Sequence, residues 1–313
     1  MIGTTIIRNG RLEPASIAVV PADDPDAFHG YGCYEALRIR GGTLYFPEFH
    51  EERLLGSAAI LGIQHALKPG DLVQALRRLA GANGIADCNV KVMLFGREGR
   101  AADWFAFLLP PLYPPKDSST AGVNCTLYHG ERPFPAAKSL GVLVSTLAFR
   151  QANAKACWDA LLINRRGEIT EGTRTNLFYV DAVESSDTSV RHDAGKSLDT
   201  AVSDSGSSDP GAITVFTPPA VDALEGITRR TLLAALATAG IPTVERSLSV
   251  QEAISGRFCL MLTSTSTGVV PVHSVIDTEG NRHELPKSPV FEVVVNAYLG
   301  YLAAYTRNGI CQT

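Results

Sequence analysis

The stretch PPLYPPKDSSTAG, residues 110–122, is dense in proline and small polar residues and is the best linker candidate in the chain. It cuts the 313-residue chain into two parts, each long enough to bury a core of its own. On this reading residues 1–111 form a small domain, 112–121 an interdomain linker and 122–313 a larger domain.

Both parts mix strand and helix patterns, which makes the class α+β. In the first, TTIIRNG and ASIAVVP read as a short hairpin, and CYEALRIRGGTLYF as two strands joined at Gly41-Gly42. PEFHEERLLGSAAILGI reads as a helix: Pro47 suits its first turn, and Leu54, Ala58 and Leu61 share one face. GDLVQALRRLAGANG predicts a second, glycine-stopped helix, and CNVKVMLFG and DWFAFLLPPL two more strands. Past the linker come the strand VNCTLYHG, a helix at about 138–157 and the strand pair DALLINRRGEITEGTRTNLFYV. The pattern resumes after residue 213 with TVFTPP, the helix GITRRTLLAALATAG, the strands TVERSL, FCLMLTST and VVPVHSV, and a helix in SPVFEVVVNAYLGYLAAY. Between them, residues 181–213 form a Ser/Asp/Gly-rich tract without periodicity, expected to be a mobile surface insertion.

Composition narrows the function classes. A net charge of −4 leaves no basic footprint for nucleic acid or an anionic membrane. No apolar run approaches the roughly 18 residues a membrane span requires, and MIGTTIIRNGRLEP lacks the basic and apolar regions of a signal peptide. The six cysteines (33, 88, 125, 157, 259 and 311) contain no C-x-x-C pair, so buried reduced thiols in a cytoplasmic protein are expected, with no metal site. Only seven lysines need to be considered as chemical groups.

Four features can carry chemistry. Lys138, in FPAAKSLGV, is flanked by small and apolar residues; an amine in such a setting has its charged form disfavoured, as a Schiff-base lysine requires. Glu171, in GEITEGTRTNLFYV, closes a β-branched run, and a carboxylate placed against a heteroaromatic nitrogen keeps it protonated. In LEGITRRTLLAALATAG, Gly226 allows close approach, while Ile227 and Thr228 offer free N–H groups where a helix begins, a ready phosphate site. TSTSTG, residues 263–268, is a hydroxyl-rich turn able to face an anion. Taken singly, each has an ordinary structural reading: a snorkelling lysine, a solvated turn, a glycine-entered helix, a loop.

Their order and spacing resemble the fold-type IV pyridoxal phosphate (PLP) enzymes, a group containing branched-chain and D-amino acid aminotransferases and aminodeoxychorismate lyases. HGYGCYEALR, HEERLLGSA, GEITEGTRTNLF, TPPAVDALEGITRRTLL and LTSTSTGVVPV are similar to five of that family's segments, in family order. The resemblance covers almost the whole chain outside 181–213 and implies a smaller N-terminal α/β domain, a larger mostly-β domain with flanking helices, and PLP as cofactor. It implies that Lys138, 33 residues before Glu171, is the catalytic lysine, and that Lys155 is an exposed helical position. Arg53 matches the phosphate-binding arginine, joined by Leu224, Gly226, Ile227, Thr228 and Thr265, with Glu171 at the ring nitrogen.

The sequence departs from particular members. Leu143 stands where branched-chain enzymes have a tyrosine, Asn89-Val90-Lys91 stands in place of their Tyr-x-Arg, and His29 replaces a tyrosine before the first glycine of the aromatic-Glu segment. Glu35 is retained where the lyases have a hydroxyl residue. The resemblance therefore implies transamination between an amino acid or amine and a 2-keto acid, with a pyruvate-releasing lyase as the alternative. The substrate carboxylate is expected at Ser266-Thr267 or at a cation such as Lys91 or Arg97, with Tyr34 and His29 lining the side-chain pocket. A homodimer is expected by analogy with the family.

Overall fold

The computed structural model describes residues 1–114, 116–182 and 213–307. The tract expected to be an insertion thus lies, apart from its edges, outside the described residues, as does Cys311. The other five cysteines are buried and unpaired.

The first sheet is antiparallel. Its strands are Ile2–Arg8 (β1), Arg11–Pro14 (β2), Gly32–Arg40 (β3), Thr43–Leu44 (β4), Cys88–Phe95 (β5) and Asp103–Leu109 (β6), in the order β2-β1-β6-β5-β3-β4. The first hairpin corrects the sequence reading. Asn9 and Gly10 both take positive φ, so the chain reverses at once in a two-residue turn and Arg8 pairs with Arg11. The return strand is RLEP, and ASI forms a 3-10 turn. A single helical turn, Pro25–Phe28 (α1), precedes β3.

Helices Pro47–Ile60 (α2) and Asp71–Asn83 (α3) cover one face of this sheet. Leu54 and Ala58 from α2 and Leu72, Leu76 and Leu79 from α3 meet Cys33, Leu37 and Ile39 from β3. Glu51 fixes the start of α3 by accepting from the N–H groups of Gly70 and Leu72 at 2.7 and 2.8 Å, which satisfies donors no helix can satisfy itself.

The expected linker contains one short helix, Ser118–Ala121 (α4). The second sheet comprises Val123–His129 (β7), Asp159–Ile163 (β8), Glu168–Gly172 (β9), Asn176–Asp181 (β10), Val215–Thr217 (β11), Thr243–Glu245 (β12), Leu248–Ser249 (β13), Phe258–Ser264 (β14), Gly268–Ile276 (β15) and Arg282–Glu284 (β16). What reads in sequence as a strand pair around Glu171 is three strands, TVERSL is split between β12 and β13, and β16 was not foreseen. Strands run β12-β11-β10-β14-β15-β7-β8-β9-β13, and β9 also meets β10 where Glu171 pairs with Asn176. Six strands from β10 round to β9 thus close on themselves around Leu127, Leu161, Leu177, Tyr179, Leu260 and Leu262.

The outer face of this closed sheet is layered with helices. Phe178, Val180 and Met261 alternate with the interior residues and pack against Ile227–Thr238 (α6) and Val290–Arg307 (α8). Ala148 and Ala152 of Leu143–Ala154 (α5) cover Ala160 and Leu162. Val250–Ile254 (α7) follows β13. The two sheets are tied together where α8 ends: Tyr305 donates to Glu48 and accepts from the Phe46 N–H, with its ring 4.2 Å from that of Phe46.

Candidate active site

Lys138 does not lie on a helix, as the sequence reading had it; α5 starts only at Leu143. The residues around Lys138 run beside β3, with an isolated antiparallel bridge between Ser139 and Cys33. The Tyr34 N–H donates to the Lys138 carbonyl, the Leu140 N–H to the Gly32 carbonyl, and the Lys138 N–H to Ser57 Oγ at 3.0 Å. The lysine is thereby pinned to the first sheet and to α2 while its chain segment belongs to the second part. Its amine sits 4.6 Å from the centre of the Tyr34 ring, with no carboxylate bound to it among the described residues. Burial, with Arg53 and Arg132 nearby, pushes its pKa down to about 7. Lys155, expected to be exposed, is half-buried and donates to Thr126 Oγ1.

Lys138 lines a cavity of about 140 Å³ between the two sheets. At one end lies Glu171, 3% exposed, at the tip of β9. Its partner is Arg132, whose Nε donates at 2.6 Å while a terminal N–H reaches the Thr173 carbonyl. Burial raises the Glu171 carboxyl above its ordinary value even though Arg132 pulls it down. Arg132 was not foreseen. It sits in GERPFP, which has no periodicity, and pairs with a residue far along the chain.

The other end is built around the start of α6. Gly226, Ile227 and Thr228 line it, with Leu224 between it and Glu171, whose carboxylate accepts from the Leu224 N–H, and Gly226 at the N-cap offers no side chain to the first-turn N–H groups. A Cβ at Gly226 would stand 1.9 Å from Asn176 Oδ1, and Asn176 Nδ2 donates to the Leu224 carbonyl at 2.7 Å. Only glycine lets the helix start come this close to β10. Arg53 lines the same end and is held rigidly: Nε and one terminal nitrogen each donate to Glu35 at 2.7 Å, and the other terminal nitrogen donates to the Glu225 carbonyl. Glu35 is fully buried, with His50 Nδ1 2.6 Å away. Burial would raise its carboxyl, but Arg53 and His50 more than offset that and hold it well below the usual carboxylate range.

Between the ends runs the β14–β15 turn. Thr263 to Thr267 all line the cavity, Ser264 Oγ lies 2.7 Å from Thr267 Oγ1, and Asn89 Nδ2 donates to Ser266. Thr263 Oγ1 is buried without a hydrogen-bond partner. Tyr34 forms the opposite wall, and Lys91 sits 3.4 Å from the centre of its ring, its pKa brought to about 8 chiefly by burial. Three expected residues do not line the cavity within the chain: Lys91 reaches only the Tyr34 ring, and Arg97 and His29 lie elsewhere. Arg97 is taken up by Asp24, Asp26 and Asp103 at 2.6, 3.5 and 2.9 Å. His29, at the end of α1, is exposed and packs on Phe28. Leu143 begins α5 and is 69% exposed.

A deep amine lowered towards neutrality, a buried carboxylate and the open N–H groups of a helix start thus face one cavity, and this geometry suits covalent capture of a phosphorylated heteroaromatic aldehyde. Residues 32–275 match the family described as amino-transferase class IV, and the chain belongs to it. It is similar to a D-alanine aminotransferase of Bacillus licheniformis, 26% identical over 280 residues covering 86% of this chain and 88% of that protein. In fold it resembles a branched-chain aminotransferase of Thermoproteus uzoniensis crystallised with norvaline, with a TM-score of 0.76 and 22% identity over 95% of this chain and 93% of the other. A hypothetical aminotransferase of Mycobacterium tuberculosis in its PLP-bound form gives a TM-score of 0.72 at 20% identity, over 96% and 99%. The protein is thus an enzyme of amino-group transfer with the fold-type IV architecture. Among its described residues no helix is long and apolar enough to cross a membrane.

Proposed function

We propose that the cavity binds pyridoxal 5′-phosphate and that Lys138 carries the reaction, moving an amino group from an amino acid or amine to a 2-keto acid. The observation that carries this reading is Lys138 itself, a buried amine near neutral pKa that shares its cavity with Glu171. Two features of the walls fit the group: the orphaned hydroxyl of Thr263 needs a partner, and the approach at Gly226 opens the α6 N–H groups towards an anion.

When bound, the pyridine ring supplies an electron sink for the bond broken beside the amino group. Glu171 meets the ring nitrogen, and Arg132 keeps that carboxylate in place. Ile227 and Thr228 at the helix start, with Arg53 and Thr265, hold the phosphate. Lys138, free as a neutral amine at working pH, takes a proton from the substrate carbon and returns it one position away. The substrate carboxylate is received by the Ser266-Thr267 turn, with Lys91 adding its charge from beside the Tyr34 ring, and Tyr34 bounds the side chain. Lys91 presents a single point charge and cannot offer a two-point fork, so its grip is looser than an arginine's.

This reading includes domains at 1–111 and 122–313 joined by 112–121, and a cytoplasmic homodimer. Amino transfer is preferred to pyruvate-releasing elimination because the relatives named above are aminotransferases. The experiment is a spectrum of the purified protein loaded with PLP, followed during addition of L- and D-amino acids, (R)-amines and 2-keto acids. A visible band that bleaches with a donor, returns with a keto acid and is missing in Lys138→Ala supports the reading. A wild-type protein that shows no band, or keeps it in Lys138→Ala, refutes it.

A further inference from the structure

We infer that Arg174 is a specificity-determining residue, receiving the anionic tail of a substrate whose amino or keto group lies at Lys138. The inference rests on the amino-transfer reading above and adds to it a substrate class: amino acids and keto acids that carry a second carboxylate.

Arg174 follows Glu171 by three residues at the tip of the β9–β10 hairpin and lines the same cavity. The tip is stiff. The Gly172 N–H donates to the Thr175 carbonyl at 2.8 Å, and buried Asp159 accepts from Thr175 Oγ1, Thr173 Oγ1 and the Ala160 N–H. Those bonds occupy Asp159, the carboxylate whose charge acts on Arg174, and Arg174 has no ion pair among the described residues. Its guanidinium carbon lies 4.3 Å from the ring centre of Phe149 and 5.1 Å from that of Trp158, and one terminal nitrogen donates to the Trp158 carbonyl at 3.0 Å.

Two aromatic faces therefore fix the guanidinium plane, and a single carbonyl fixes its rotation. Four of its five N–H groups remain for something else. An arginine held in this way, on the wall of a cleft and without a protein anion, is pre-ordered for a planar oxyanion, because the ordering that a free side chain would lose on binding has already occurred. Arg174 is exposed, so an ammonium or aliphatic tail would leave those donors to water, and an amide would meet them with one neutral oxygen. A carboxylate answers them.

The test compares glutarate with pentanoate, which differ only in the second carboxylate, by calorimetric titration of the PLP-loaded protein. Glutarate is expected to bind about tenfold more tightly, a difference of about 1.4 kcal/mol. Arg174→Gln removes the preference, whereas Arg174→Lys keeps part of it as a point charge. Equal binding by wild type, or an unchanged preference in a folded Arg174→Gln, overturns the inference. In turnover, Arg174→Gln raises KM for glutamate about tenfold and leaves kcat, and both constants for norvaline, within about twofold. Wild type that selects glutarate but transfers no amino group to any keto acid would refute the reaction and leave the role of Arg174 standing. Wild type that transfers amino groups without discriminating tails would do the reverse.

Discussion

The two ends of the cavity each hold an arginine–glutamate pair, and the pairs are built in opposite senses. Near α6, Glu35 is the deeper member, fully buried, gripped at two points by Arg53 and once by His50. It keeps its charge, and the arginine is the group that lines the cavity. Near β9, Glu171 lines the cavity and meets Arg132 through one short contact and the Leu224 N–H, with burial raising its carboxyl. One pair presents a fixed cation where a phosphate is to sit. The other presents a carboxylate whose proton affinity is raised, where a ring nitrogen is to be held. The same two residue types yield two electrostatic outcomes because the number of donors around each carboxylate differs.

That comparison breaks most visibly through Glu171→Gln. Removing the charge while keeping the shape should lower kcat by on the order of 10²-fold, as loss of a preorganised electrostatic partner does in other enzymes. Cofactor binding should weaken far less, and both are read from turnover and from a PLP titration. If kcat survives, the β9 pair is structural and the distinction between the ends disappears.

Glu35→Gln should act the other way round. With the fork to Arg53 halved, affinity for PLP is expected to fall about tenfold, the worth of one charge-assisted hydrogen bond. Its kcat at saturating cofactor should stay within a few-fold of wild type. A variant that binds PLP normally yet turns over slowly would show that Glu35 serves the chemistry and not the phosphate end.

The sequence exposed those parts of the site that depend on neighbours along the chain. Gly226, Ile227 and Thr228 were legible as a helix start and Glu171 as the close of a short strand, but only the order and spacing of the family-like segments made either a site expectation. The Asn9-Gly10 turn was equally local, and taking it as a two-residue hairpin would have placed β2 correctly. What stayed hidden depends on distant partners. Arg132 has meaning only beside Glu171, and the run at Lys138 only because β3 supplies its hydrogen bonds. Arg97 looked available until Asp24 and Asp103, from separate elements, were folded onto it. A charge in a sequence has no partner until the fold supplies one, so candidate cations were over-counted and structural ones missed.

The finest discrimination between the ends comes from the titration of Lys138, which both pairs influence. The neutral amine is the reactive form, and its pKa is lowered from 10.5 to about 7. Capture of PLP by the cofactor-free protein should therefore speed up through a midpoint near pH 7 and level off, where an ordinary lysine would go on accelerating to 10.5. Stability follows the same sign: burial penalises the ammonium fully below pH 7, and the penalty is relieved as pH rises from about 7 towards 10.5. Each glutamate favours the charged lysine, Glu35 more than Glu171. Neutralising either should move the midpoint down, Glu35→Gln by more than Glu171→Gln, and a shift of about half a pH unit is roughly a threefold change in rate at pH 6. Stopped-flow absorbance across pH 5.5 to 9 reads all three midpoints. The reverse order would mean that the β9 carboxylate, despite its burial, is the more fully ionised of the two.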